Sequence, residues 1–256
     1  MKKGFTLAEV LIVLGIVGVV AAMTLPSLYN HFKKIELHTR FNKTYSVVNQ
    51  ALKLTMGDLG LTSSSDFSIY WNQDKDKQNE TFVEINKIWD SKFAGATLVD
   101  KQDFSRKRVY VHDFWGNLWP YANSWPVNAT FPDNNYLILP DGAMVSRLGY
   151  DGNVAYQSSL ALVIFFDTNG PYKGPNRIGY DMFYYYGDGN YHEGNLVPTC
   201  DPLRTPINPY WQSMQHSACS AIALKDINPY DSSKKYWDSL YNPKSWWEEL
   251  KAKNNK

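Results

Sequence analysis

Hydrophobic and polar positions divide the chain into an unbroken apolar run, a stretch with helical periodicity and a remainder of short mixed segments. From Phe5 to Leu25 the only charged residue is Glu9. About 20 apolar helical residues, rising ~1.5 Å each, cross a hydrocarbon layer of roughly 30 Å. The run therefore predicts a membrane helix. Leu28, Phe32, Ile35, Phe41, Tyr45, Val48, Leu52, Met56 and Leu59 follow. Their steps are mostly three and four, the spacing of one helix face. Lys33, Lys34, Glu36, Arg40, Lys43 and Lys53 fall largely off that stripe, and Gly57 and Gly60 mark its end. The pattern predicts one helix from Phe5 to about Leu59, about 80 Å long. Its first half is apolar all round. Its second half is amphipathic and needs an apolar partner. Pro26 removes one backbone hydrogen bond and predicts a kink there. Gly15 and Gly18 either admit close helix neighbours or are simply tolerated in a membrane helix.

Thr62–Glu80 is rich in Ser, Asp, Asn, Gln and Lys and reads as a loop, with a short strand over Phe67–Trp71. Thr81-Phe82-Val83-Glu84 has the form of a capping box opening a short helix, whose face would be Phe82, Ile85, Trp89 and Phe93. Arg108–His112 alternates weakly. Tyr136–Leu139 and Ala143–Leu148, joined by Pro140-Asp141-Gly142, predict a hairpin. Leu160–Phe166 is continuously apolar and predicts a central strand, and Met182–Tyr186 predicts another. Helix is expected across Tyr210–Leu224 and again after Pro243, around Trp246, Trp247 and Leu250. The fold class is α+β: a long N-terminal helix packed on a small antiparallel sheet of three or four strands, with a C-terminal extension. The organisation is residues 1–4, 5–25 in the membrane, 26–60 as the amphipathic half-helix and 61–256 as a globular head.

Charge narrows the function. Lys and Arg total 26 against 25 for Asp and Glu, so no net field draws the chain to nucleic acid. Lys2 and Lys3 precede the apolar run, which keeps the N-terminus cytoplasmic and exports the rest. Three readings of the run compete: a cleaved signal peptide, with Ala21 and Ala22 near its end, a plain signal anchor, and a buried core helix. The run exceeds a usual signal core, a plain anchor gives no reason for Glu9, and a buried core helix of this length without polar residues is unusual in a soluble domain of this size. A carboxylate in hydrocarbon costs on the order of 3 kcal/mol, so Glu9 needs a partner. A cut after Gly4 would create one, the free amine of Phe5.

Lys3-Gly4-Phe5-Thr6-Leu7-Ala8-Glu9-Val10-Leu11 resembles the cleavage and methylation motif of type IV prepilins and secretion pseudopilins. The resemblance covers about the first 30 residues and is highly specific. It implies cleavage between Gly4 and Phe5 by a prepilin peptidase, N-methylation of Phe5, an assembly role for Glu9 and a helix kink at Pro26. It also implies a pilin-like fold and a structural subunit of a type IV pilus or type II secretion pseudopilus. The expected partners are other pilin or pseudopilin subunits, the peptidase, an inner-membrane assembly platform with its cytoplasmic ATPase, and the bilayer before assembly. Expected localisation is single-pass in the inner membrane, then in an extracellular or periplasmic filament. The alternative is a membrane-anchored surface binding protein that does not polymerise.

Other constellations are weaker. The stretch from Asp167 to Asp181 crowds oxygen donors between two expected strands, with Asp167, Asn169, Asn176 and Asp181 foremost. Calcium takes roughly six to eight oxygens from such loops. It is not an EF-hand, since Ile178 stands where the bidentate Glu belongs. It resembles Asp- and Gly-rich loops of some pseudopilins in which calcium orders the loop, without matching their spacing residue by residue. The competing reading is a turn-rich connection. Asp151 and Asp188 lie in similar turns. No cofactor is expected beyond a structural calcium ion in this loop. Cys200 and Cys219 would close a loop of about 20 residues as a disulfide, worth ~3 kcal/mol. Free thiols, or a zinc site with His192 and His216, are the alternatives, although the spacing fits no common zinc pattern. Trp115, Trp119, Trp125 and Trp211 lie among Pro, Asn and Gly, where they either present a surface for ligands or cover a small core. No nucleophile elbow, HExxH or phosphate loop is present, so the chain is not read as an enzyme.

Overall fold

A computed structural model describes residues 6–71, 75–100, 112, 135–151, 161–187, 197–198, 220–228 and 233–240. Helix α1 spans Leu7–Asp58 and stays helical on both sides of Pro26. Short turns follow at Ser64–Phe67 (3₁₀) and Ser68–Trp71 (α2), then helix α3 at Lys75–Asp90. The strands are β1 Thr97–Asp100, β2 Asn135–Ile138, β3 Met144–Ser146, β4 Gly149–Asp151, β5 Ala161–Asp167, β6 Met182–Gly187 and β7 Val197–Pro198. Helices α4, Ser220–Lys225, and α5, Tyr236–Ser239, complete the described chain.

Among the described residues the strands form one seven-stranded sheet in the order β1-β2-β3-β5-β6-β7, with β4 also on β5. Every named pairing is antiparallel. The predicted hairpin is β2–β3, and the apolar run is β5, flanked on both sides. The sheet is larger than the three or four strands expected. The additions β1, β4 and β7 are short, and short strands leave little period to read. Strands β3 and β4 lie along the same side of β5, separated at Arg147 and Leu148. Helix α3 serves that break. Asn86, fully buried, donates to the Leu148 carbonyl (3.2 Å) and accepts from its N–H (2.9 Å). Trp89 Nε1 donates to the Ser146 carbonyl (3.1 Å), and Arg147 forks onto the Asp90 carboxylate. Asn86→Ala should therefore lower stability by about 2–4 kcal/mol, because two buried backbone groups lose their partner. Urea unfolding checks this as a lower midpoint at unchanged slope. An unchanged midpoint would mean those groups find other partners.

The core lies between the second half of α1 and one face of the sheet. Leu37, Phe41, Thr44, Val48, Ala51, Leu52, Thr55 and Met56 are the buried residues of α1. They face Leu162, Ile164, Phe166 and Phe183 within one apolar cluster. Phe41 is its hub, with ring centroids 4.6 Å from Phe183 and 5.4 Å from Trp237. The predicted stripe holds from Phe41 onward. Its first members, Leu28, Phe32 and Ile35, remain exposed, because among the described residues the packing on α1 begins at Leu37.

Two local expectations are corrected. Phe67–Trp71 is helical turn and not strand: the Asp66 carboxylate accepts from Thr62 N, Thr62 Oγ1 and Ser63 N (2.8–2.9 Å), which winds the backbone there. These bonds hold Asp66 below the usual carboxylate range. Thr81–Glu84 is not a helix start, since α3 begins at Lys75 and good helix formers carry it through. The predicted face does hold, with Phe82, Ile85 and Trp89 buried on α3 and Phe93 buried in the turn after it. Of Arg108–His112 only His112 is described, bridged to Arg177. The expected helix after Pro243 lies outside the described residues, and α4 is the described part of the other.

Candidate functional site

Thr6 caps α1 in a capping box. Its Oγ1 accepts from Glu9 N (3.3 Å), while Glu9 Oε2 accepts from Thr6 N and Thr6 Oγ1 (both 2.8 Å). The sequence reading missed this use of Glu9, although Thr-x-x-Glu before an apolar run is its signature. Oε1 has no partner among the described residues. The large apolar side chains from Leu7 to Ile35 are exposed all round the helix. Among the described residues this is the one helix long and apolar enough to cross a membrane. Near Pro26, Thr24 Oγ1 donates back to the Val20 carbonyl at 2.9 Å, a bond that often accompanies helix bending. Gly4, Phe5, Cys200, Cys219, His192, His216, Asp188, Trp115, Trp119, Trp125 and Trp211 lie outside the described residues.

The second constellation is the β5–β6 connection. It brings together the four predicted residues, all buried: Asp167, Asn169, Asn176 and Asp181. Asp167 ends β5, and Oδ1 accepts from Asn169 N (3.1 Å) and Gly170 N (2.9 Å). Asp181 precedes β6. Its Oδ2 accepts from Asn176 N (3.0 Å) and its Oδ1 from Arg177 N (2.6 Å). The turn-rich reading is thus right for the backbone. The side chains add more. Asn169 Nδ2 donates to the Gly174 carbonyl (2.7 Å) and Asn176 Nδ2 to the Pro171 carbonyl (2.9 Å). These bonds fix both amide orientations. Asp167 Oδ2, Asn169 Oδ1 and Asn176 Oδ1 are then buried without a hydrogen-bond partner. Burial, and then the charge of Asp181, raises the Asp167 carboxyl well above the usual range, and burial raises Asp181 to about 6 against its backbone donors.

The frame around this loop is rigid by construction. Gly170 has φ +83°, and a Cβ there would lie 2.0 Å from the Gly142 carbonyl oxygen. His112 bonds the loop on both sides, its N–H to the Asn176 carbonyl (2.9 Å) and its carbonyl to Ile178 N (3.1 Å). From the C-terminal part, Tyr236 Oη donates to the Gly179 carbonyl (2.5 Å) and Trp237 stacks on His38 of α1. Tyr180 Oη in turn donates to the Leu240 carbonyl. No sequence period marked these clasps. Asp151 falls in β4 opposite Ala161, away from the loop in sequence.

A long apolar helix whose second half carries a small antiparallel sheet is the arrangement of a pilin-like α+β protein. Residues 1–25 match the prokaryotic N-terminal methylation motif, the signature of type IV pilin and pseudopilin precursors. No curated protein and no solved structure matches the chain.

Proposed function

We propose that this chain is a structural subunit of a type IV pilus-like or type II secretion pseudopilus filament, held in the membrane by residues 5–25 before assembly. The observation that carries this reading is the pairing of a methylation motif with a helix half bare of internal partners among the described residues. Exposed apolar surface of that extent needs lipid or neighbouring helices. The chain needs both in turn, lipid before assembly and the helices of other subunits afterwards. A prepilin peptidase cuts between Gly4 and Phe5, and Phe5 is N-methylated. The Phe5 amine and the Glu9 carboxylate then guide docking, and Pro26 bends the helix to fit the bundle. The head faces outward and has no catalytic role.

Intact-mass measurement of the mature chain tests this. The expected result is loss of Met1–Gly4 and one added methyl on Phe5. An uncut start would leave a membrane-anchored surface protein, and a start near Met23 would make the segment an ordinary signal peptide.

A further inference from the structure

We propose that the β5–β6 connection binds one calcium ion, with Asp167 Oδ2, Asn169 Oδ1, Asn176 Oδ1 and an Asp181 carboxylate oxygen as its protein ligands.

The argument starts from what these oxygens lack. Buried acceptors are normally satisfied, and each orphan costs about 1–3 kcal/mol. Four such oxygens sit here within one short loop: the three acceptors above and Thr168 Oγ1, whose hydroxyl can donate only once. Neither amide can rotate to escape, because each Nδ2 already donates to a backbone carbonyl. The loop also concentrates charge. Asp167 and Asp181 lie close enough to repel, and the Asn169 side chain reaches Asp181 as well. Among the described residues no salt bridge reaches either carboxylate. Arg177 lies over the Tyr180 ring, 4.0 Å from its centroid.

Protonation alone does not settle the site. One proton on Asp167 provides one donor for the orphaned oxygens and leaves the rest bare. A divalent cation answers both deficits, since it takes several oxygens together and offsets two negative charges. The donor set selects its kind. All the available atoms are oxygens of carboxylates and side-chain amides, the hard and irregular set calcium accepts. Magnesium demands near-octahedral geometry and keeps its waters, whereas zinc prefers nitrogen and sulfur. Among the described residues no group of three or more His, Cys, Asp or Glu is placed to hold a metal ion, so two carboxylates and the side-chain amides make up the donor set here. The backbone that carries these oxygens is fixed by the Gly170–Gly142 approach, the His112 backbone pair and the Tyr236 hydroxyl.

The test uses the full chain in detergent, stripped with chelator, with thermal unfolding followed by near-ultraviolet circular dichroism. Calcium at about a hundred times its Kd should raise Tm by roughly 5–10 °C. Magnesium at the same concentration should do clearly less, and native mass spectrometry should find one calcium per chain. Asp167→Asn and Asp181→Asn should each abolish the calcium-dependent rise, while Asp66→Asn, outside the β5–β6 connection, should keep it. The proposal is overturned if the wild-type chain neither binds calcium nor gains stability at millimolar concentration. It is equally overturned if Asp167→Asn responds as wild type does, or if zinc outperforms calcium. Should the loop variants fail to fold, the wild-type titration and stoichiometry decide alone.

Discussion

Glu9→Ala should insert into the membrane normally and yet fail to enter filaments, or enter them at a small fraction of the wild-type rate. Insertion survives because the apolar run from Phe5 to Leu25 loses its one charge, which lowers the cost of burial in lipid. Assembly fails because the partner for the amine of an incoming Phe5 is gone. The structure adds a complication and a way through it. Glu9 also closes the Thr6 capping box, and losing such a cap costs roughly 0.5–2 kcal/mol of local helix stability. Two companion variants separate the roles. Glu9→Gln keeps a side chain able to complete a capping box but carries no charge, so it should fail as Ala does. Thr6→Ala opens the box and keeps the carboxylate, so it should assemble nearly as wild type. Filament yield against membrane-fraction yield is the measurement. Full assembly of Glu9→Gln would move the role of Glu9 from charge pairing to helix capping.

Phe41→Ala should destabilise the head by about 3–5 kcal/mol, enough to unfold a marginal domain. Phe41 is fully buried and touches Tyr45 on its own helix and Phe166, Phe183 and Trp237 on three other elements. Removing its ring opens a cavity that none of these neighbours can fill without leaving its own contacts. Phe32→Ala on the same helix is the internal control. Phe32 is 60% exposed, so its loss should change head stability by less than about 0.5 kcal/mol. Urea midpoints of the two variants measure the contrast. Equal effects would mean that the sheet contacts α1 further toward its N-terminus.

Those two phenylalanines show how far a periodic pattern carries. Both sit on the same apolar stripe, since a step of three or four says which face is apolar and nothing about what covers it. Coverage depends on where the sheet ends. The same limit applied to Thr81, where a capping signature lies inside a helix because Lys75–Glu80 already propagate it. Long or continuously apolar segments were legible: α1, the β2–β3 hairpin, β5 and β6. The short strands β1, β4 and β7 were not, because pairing with neighbours makes them strands.

For function, the sequence alone determined the membrane helix, its single carboxylate and the methylation motif, because each is local: hydropathy and a nine-residue stretch need no partner to be read. It also named Asp167, Asn169, Asn176 and Asp181 as oxygen donors, without deciding between a cation site and a set of turns. Only the tertiary structure decided which oxygens the backbone uses. Turn bonds take Asp167 Oδ1 and both Asp181 oxygens, and two carbonyls pin the amides. What they leave buried and bare depends on atoms far along the chain, including the Gly142 carbonyl, the His112 backbone and the Tyr236 hydroxyl. Burial and hydrogen-bond satisfaction are properties of the packed chain, so no reading along the sequence reaches them.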